Sequence, residues 1–234
     1  FPTRRSSDLN FLMEQSANRT YRLRGSRITG PQQRALDAYW HLYGISYQDA
    51  QLDINALFPD SRQVILEIGF GMGEATALIA QKFPETGFVA VEVHRPGIGK
   101  LMARIEELQV RNIRIIEGDA HLILDAMIPD ASLDGIHLFF PDPWPKKRHH
   151  KRRLLQPPLV ALLASRLKPG AYLHAATDWQ EYAEQILDVF SHELMLKNSA
   201  DGFAPRPDYR PQTKFETRGL RLGHGVWDII FRRV

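Results

Sequence analysis

The chain has 234 residues, 44% of them hydrophobic and 24% charged, with a net charge of +3 and no cysteine. That is enough chain for one sizeable domain whose core needs neither disulfides nor a structural metal. The missing thiols exclude disulfides, Cys-based zinc sites and thiol catalysis, and with no apolar run of bilayer-spanning length and no signal-peptide pattern, a soluble cytoplasmic protein is expected.

The first nine residues, Phe1 to Leu9, read as the translation of a sequencing-library adapter and are set aside as an artefact, with the natural N-terminus expected to be missing. Residues 10–62 form a first region. It begins with a polar, mobile arm carrying Arg19, Arg22, Arg24 and Arg27. Thr29-Gly30-Pro31-Gln32 then opens a helix, with Thr29 as N-cap and Gln32 three residues on. Leu36, Tyr39, Trp40 and Tyr43 give that helix one buried face, and an irregular connection runs from Gly44 to Arg62.

From Gln63 to Val234 strands and helices alternate. Strands are predicted at Val64–Ile68, Phe88–Val93, Ile113–Ile116, Gly135–Phe140 and Ala171–Thr177, with helical spacing between them. The helix running to Leu167 is expected to stop at Pro169-Gly170. Two closing strands, Leu194–Asn198 and Val226–Arg233, flank a long irregular stretch rich in Pro, Arg and Gly. Such a loop is uncommon unless it is functional or disordered. The pattern is α/β: a doubly wound, mostly parallel, Rossmann-like sheet of seven strands.

Gly69-Phe70-Gly71-Met72-Gly73 joins the first strand to the helix after it. Glycines there permit a tight turn and close approach of a ligand to the backbone. The spacing is G-x-G-x-G, not the G-x-G-x-x-G of dinucleotide binders. Glu67 precedes the turn, Glu92 ends the second strand at the distance from which an acid reaches ribose hydroxyls, and Asp119 ends the third. No lysine lies in the turn, and Glu67 and Glu74 flank it. That disfavours phosphates and favours a cationic nucleoside, which S-adenosylmethionine fits.

Phe139-Phe140-Pro141-Asp142-Pro143-Trp144-Pro145 follows the fourth strand as a rigid corner. An indole can stack on a base and a carboxylate can accept from a guanine edge, although Trp144 can equally be core and Asp142 a turn cap. Six cations and two histidines follow at once, from Lys146 through Lys147, Arg148, His149, His150, Lys151 and Arg152 to Arg153. They form a concentrated patch suited to nucleic acid. Asp178 closes the fifth strand, where it can cap the next helix with Glu181 or touch substrate. The nine histidines show no metal-ligand spacing, so no metal is expected. Two other classes stay open on these residues. An NAD-linked oxidoreductase lacks the needed glycine spacing here, and a non-catalytic RNA-binding module leaves Glu67, Glu92 and Asp119 unexplained.

Leu66 to Gly73, Phe139 to Trp144, Ala176-Thr177-Asp178-Trp179, Thr213-Lys214-Phe215-Glu216 and Arg221 to Gly225 together resemble the bacterial tRNA (guanine-N7)-methyltransferase family. The resemblance implies a class I methyltransferase that passes a methyl group from S-adenosylmethionine to guanosine 46 of the tRNA variable loop, by in-line attack of N7 on the sulfonium methyl. It implies that Glu67, Gly69, Gly71, Gly73, Glu92, Asp119 and Asp142 line the donor site and that Asp142 is catalytic. Lys146, Asp178, Thr213, Lys214, Phe215 and Glu216 would be substrate contacts, and Arg148 to Arg153 the RNA-interacting segment. It further implies a monomer or homodimer acting without an obligatory partner subunit.

Overall fold

The structure is a computed structural model that describes residues 20, 27–212, 216–217 and 225–234. Helix α1 (Gly30–Tyr43) begins where the sequence places it. Gln32 Oε1 accepts from the Thr29 backbone N–H at 2.9 Å and from its hydroxyl at 3.0 Å, with Pro31 in the first turn. The expected irregular connection contains two short elements, β1 (Gly44–Ile45) and α2 (Ile54–Leu57), the latter capped by Asp53. The alternating region follows as β2 (Gln63–Ile68), α3 (Glu74–Lys82), β3 (Thr86–Glu92), α4 (Arg95–Leu108), β4 (Ile113–Glu117), α5 (Ala120–Met127) and β5 (Leu133–Phe139). A 3₁₀ segment over Lys147–Arg152 leads to α6 (Pro157–Arg166), β6 (Leu167–Thr177), α7 (Gln180–His192), β7 (Leu196–Asn198) and β8 (Trp227–Arg233).

Among the described residues the strands join one sheet in the order β1-β4-β3-β2-β5-β6-β8-β7. The sheet therefore has eight strands rather than seven. The extra one is β1, too short to leave a periodic signal, whose Gly44 and Ile45 pair parallel with Ile115 and Ile116. The pairs from β1 to β6 are parallel, and β8 runs antiparallel to both β6 and β7. One boundary differs for a clear reason. β6 begins at Leu167, directly after α6, and Leu167 pairs with Leu133 before the register shifts. Pro169-Gly170 is thus an irregularity inside the strand, with Gly170 in the left-handed region at φ 80°.

Alternate side chains of the parallel strands enter two cores. Leu66, Ile68, Val89, Val91, Ile136 and Leu138 pack on one face with side chains of α5, α6 and α7. Ile65, Phe88, Ala90, Ile113 and Ile115 pack on the other with α1, α3 and α4. Each fully buried Leu or Ile contributes roughly 1.5–3 kcal/mol. This double winding leaves one place where the strand order reverses, between β2 and β5. In open α/β sheets the crevice beyond the carboxyl ends at that reversal is where ligands bind.

Candidate active site

The glycine turn follows β2 and the Pro141–Pro145 corner follows β5, so the two motifs flank the crevice. Pairing of Glu67 with His137 across the two strands sets their relative height. Gly69, Gly71 and Gly73 have φ of 76°, 60° and 70°, a region that favours glycine. A Cβ built on Gly69 or Gly71 would meet nothing within 4 Å, so the turn presents bare backbone to open space. The turn is held from behind at Gly97 near the start of α4, where an added Cβ would stand 1.9 Å from the Gly71 carbonyl oxygen.

Glu92 ends β3 and organises the turn. Its Oε2 accepts from the Gly71 N–H at 2.8 Å, and its Oε1 accepts from Val93 and His94 N–H at 2.8 and 3.0 Å. Glu67 lies beneath, 3% exposed, on the face covered by α3. Burial pushes its carboxyl up to about 7, the Glu92 charge adds to the rise, and the Thr76 hydroxyl opposes it. Even so, Glu67 Oε2 and Thr76 Oγ1 are both buried without a formed hydrogen bond. Asp119 caps α5 by accepting from His121 N–H at 2.9 Å and is half-exposed. The donor set is therefore carboxylates and open glycine backbone with no lysine. It fits a cationic nucleoside such as S-adenosylmethionine and would repel a pyrophosphate.

The corner is strained. Phe140 and Trp144, neither of them glycine, adopt φ of 54° and 44° on either side of Asp142. The first bend ends β5 at Phe139, one residue before the predicted end. It is pinned by the Phe140 N–H donating to the Ala176 carbonyl at 2.7 Å. Asp142 is half-buried at the tip, near enough to the buried Tyr182 to oppose ionisation of its phenol.

Of the two readings of Trp144, core is the outcome. The indole is 5% exposed, donates Nε1–H to the Thr20 carbonyl at 3.1 Å, and has Arg152 over its ring and His149 against it edge-on. It cannot also stack on a base. Trp179, at the end of β6, is 39% exposed and is the one exposed aromatic among the large apolar side chains of the described residues.

The basic run is a 3₁₀ turn, and it divides. Lys146, Lys147, Arg148 and Lys151 are exposed, with His149, His150 and Arg152 intermediate. Arg153, grouped by sequence with the RNA-facing cations, is only 1% exposed. Its Nε donates to the Pro143 carbonyl at 2.9 Å and its Nη1 to Gln185 Oε1, while its guanidinium lies over Tyr182. It braces the corner from inside rather than facing a phosphate.

Asp178 is exposed and does not cap α7. The N-cap is Trp179, whose own N–H reaches Thr177 Oγ1 at 3.3 Å. Glu181, expected in a capping box, instead approaches His150 and Arg153 at 3.4 and 3.5 Å. Thr213, Lys214 and Phe215 lie outside the described residues, as do Arg19, Arg22 and Arg24. Glu216 is described and is buried, its carboxylate gripped by Arg210. Sequence reasoning missed Arg210, Tyr209, His174 and Asp228, since no spacing separates a buried polar side chain in a loop or strand from an ordinary one. Among the described residues no group of three or more His, Asp or Glu is arranged to hold a metal, and no helix is long and apolar enough to cross a membrane.

The profile of a family described as "Putative methyltransferase" matches residues 61–229. A tRNA (guanine-N(7)-)-methyltransferase of Methylobacillus flagellatus is 59% identical over 216 residues, covering 92% of this chain and 91% of the relative. One of Paracidovorax citrulli is 60% identical over 218 residues, covering 93% and 88%. Among solved structures, the 16S rRNA methyltransferase KamB superposes with a TM-score of 0.59 at 15% identity, covering 80% of this chain and 96% of that one. The aminoglycoside resistance methyltransferase NpmB1 gives 0.56 at 14% identity, covering 80% and 95%. At that identity the likeness concerns the fold alone.

Proposed function

We infer the reaction from the premise that this chain belongs to the tRNA (guanine-N(7)-)-methyltransferase family. It is a methyltransferase that modifies N7 of guanine in tRNA. The donor we assign is S-adenosylmethionine, held by Glu67, Gly69, Gly71, Gly73, Glu92 and Asp119, with Asp142 across the crevice. Bound there, it supplies an electrophilic methyl group on a sulfonium. The target we assign is guanosine 46. The observation that carries the reading is the meeting, at the single strand-order reversal, of an open glycine turn backed by a buried carboxylate with a strained acid-bearing corner.

Guanine N7 has an in-plane lone pair and no proton, so no side chain need act as a general base. The work of the protein is then positioning and charge stabilisation. Asp142, at the tip of the corner, is the catalytic residue. It holds the guanine edge and faces the positive charge that grows on the purine. A target base must first leave its stack, at a cost of a few kcal/mol, and exposed Trp179 beside Asp178 offers a face for it. Lys146, Lys147, Arg148 and Lys151 take tRNA phosphates, each contact adding salt-sensitive affinity. Lys214 belongs with them as a substrate contact, and Thr213, Phe215 and Glu216 with the base pocket. The substrate places the reaction in the cytoplasm.

The test is incubation of unmodified tRNA with labelled donor, followed by mapping of the methylated atom. N7-methylguanosine at position 46 is expected, and its absence would overturn the reading. Asp142→Ala should lose methyl transfer while tRNA binding at low salt persists. Unchanged turnover would remove Asp142 from the catalytic role.

A further inference from the structure

A buried side chain ties the reactive corner to α7, and the transfer step as described does not use the link. The corner holds Asp142 between two left-handed residues, Phe140 and Trp144. Such bends persist only where their surroundings over-determine them. The first is tied to β6 through the Phe140 N–H and the Ala176 carbonyl. The second follows Pro143, a residue with no N–H, whose backbone offers only a carbonyl. Arg153 Nε donates to that carbonyl at 2.9 Å. From the same guanidinium, Nη1 donates to Gln185 Oε1 on α7, and Nη2 donates to His150 Nε2 at 3.1 Å, since arginine has no acceptor. The guanidinium carbon lies 4.9 Å from the centre of the Tyr182 ring. Tyr182 and Gln185 are three residues apart and so share one face of α7. The Tyr182 hydroxyl also accepts from the Leu155 N–H at 3.2 Å, two residues beyond Arg153. One face of α7 therefore holds both the corner and the exit from the basic turn.

Helix α7 starts at Gln180, directly after Asp178 and Trp179, the exposed residues at the end of β6. The bond between Arg153 and Gln185 spans 32 positions of chain. It joins the residue after Asp142 to the helix that continues from Asp178 and Trp179. Stability alone gives little reason for a cation at this place. Burying a charge carries a desolvation penalty that apolar packing avoids. The Glu181 carboxylate stands 3.5 Å from Nη2, but its side chain is 56% exposed, so that pair offsets little. What a guanidinium does, and an apolar side chain cannot, is reach several acceptors at once in one rigid plane. Three nitrogens facing three different segments fix the distance between those segments.

We propose that Gln185 is a positioning residue for methyl transfer: acting through Arg153, it sets Asp142 at a fixed distance from Asp178 and Trp179. This rests on the reaction at guanine N7 and on the role of Asp142 proposed above. It requires no contact of Gln185 with base, donor or phosphate. The glycine turn and the exposed cations Lys147, Arg148 and Lys151 lie outside the bridge. Its loss is therefore expected to slow transfer within the bound complex and to leave the affinity for tRNA and donor unaffected.

The test separates chemistry from binding. Gln185→Leu removes the acceptor, Gln185→Glu keeps one at the same reach, and Arg153→Lys keeps the charge but not the fork. Each is assayed for single-turnover methyl transfer at saturating tRNA and donor, for tRNA affinity at low salt, and for the thermal shift induced by S-adenosylhomocysteine. Gln185→Leu is expected to lose about tenfold or more in single-turnover rate, as misplacement of a reacting group does, while tRNA affinity and the thermal shift stay within about twofold of wild type. Gln185→Glu should keep the rate within about twofold. Arg153→Lys should slow transfer as Gln185→Leu does, and the double variant should be no slower than the slower single one, since both cut one bridge. A wild-type rate in Gln185→Leu would overturn the proposal. So would equal losses in Gln185→Leu and Gln185→Glu, losses that multiply in the double variant, or a loss confined to tRNA affinity. Should Gln185→Leu fail to fold, Gln185→Ala, which also lacks the acceptor, takes its place in every comparison. A wild type that forms no N7-methylguanosine would instead refute the reaction, and unchanged turnover in Asp142→Ala would refute the role of that acid; both are read without any Gln185 variant.

Discussion

Replacing Glu67 by glutamine should make the protein more stable and a poorer binder of its donor. Burial raises the Glu67 carboxyl to about 7 from an ordinary 4.5, aided by the Glu92 charge and opposed by Thr76. The folded chain therefore holds this proton more tightly than the unfolded one. The stability linked to it is complete below about pH 4.5, falls as pH rises, and levels out above about pH 7. At 1.36 kcal/mol per pH unit, about 3 kcal/mol is withheld at pH 8. Glu67→Gln has nearly the same shape and no charge to desolvate. It should recover much of that amount, about 5–10 °C in Tm for a chain of this size. Urea or thermal unfolding from about pH 5 to about pH 8 measures it, with the wild-type and variant curves diverging as pH increases. A cationic donor beside Glu67 would return the carboxylate to its charged form. Binding of S-adenosylmethionine should then release a proton near pH 7, visible as a buffer-dependent heat of binding, and the release should vanish in Glu67→Gln. Parallel pH–stability curves for the two proteins would refute the reasoning, since Glu67 would then be ionised in the folded state at no cost.

Three further outcomes are expected. Gly97→Ala should abolish the donor-induced thermal shift, because the new methyl would stand 1.9 Å from the Gly71 carbonyl oxygen and push the turn out of shape; an intact shift would show that α4 yields instead. Alanine at Lys147, Arg148 and Lys151 together should lower the slope of log affinity against log salt by roughly 2–3, as counterion release requires, whereas alanine at buried Arg153 should damage the corner and turnover rather than that slope. Trp179→Ala should raise KM for tRNA by about 1–3 kcal/mol in binding terms if its indole carries the target base, with the donor shift unchanged; an unaltered KM would remove it from the substrate path.

The amino-acid pattern alone determined the α/β class, the alternation of elements, the glycine turn, and the acids Glu67, Glu92 and Asp119 at strand ends. These are local matters. Periodicity, turn chemistry and strand length are written in neighbouring residues, and the strand ends of a parallel sheet share one edge. The corner around Asp142 was legible for the same reason, as three prolines after an apolar run. What only the tertiary structure decided depended on which surfaces meet. Trp144 and Arg153 belong to polar, aromatic or charged types expected to face RNA, and both went inside because the 3₁₀ turn folds back over the corner. Asp178 lost its cap because α7 begins at Gln180. β1 became a strand through pairing with β4 rather than through its own two residues. The cluster of His174, Arg210, Glu216 and Asp228 spans strands and loop separated by up to 54 positions between bonded partners. Only the antiparallel return of β8 beside β6 brings those charges within reach of one another, and no spacing in the chain encodes a contact made by closing the sheet.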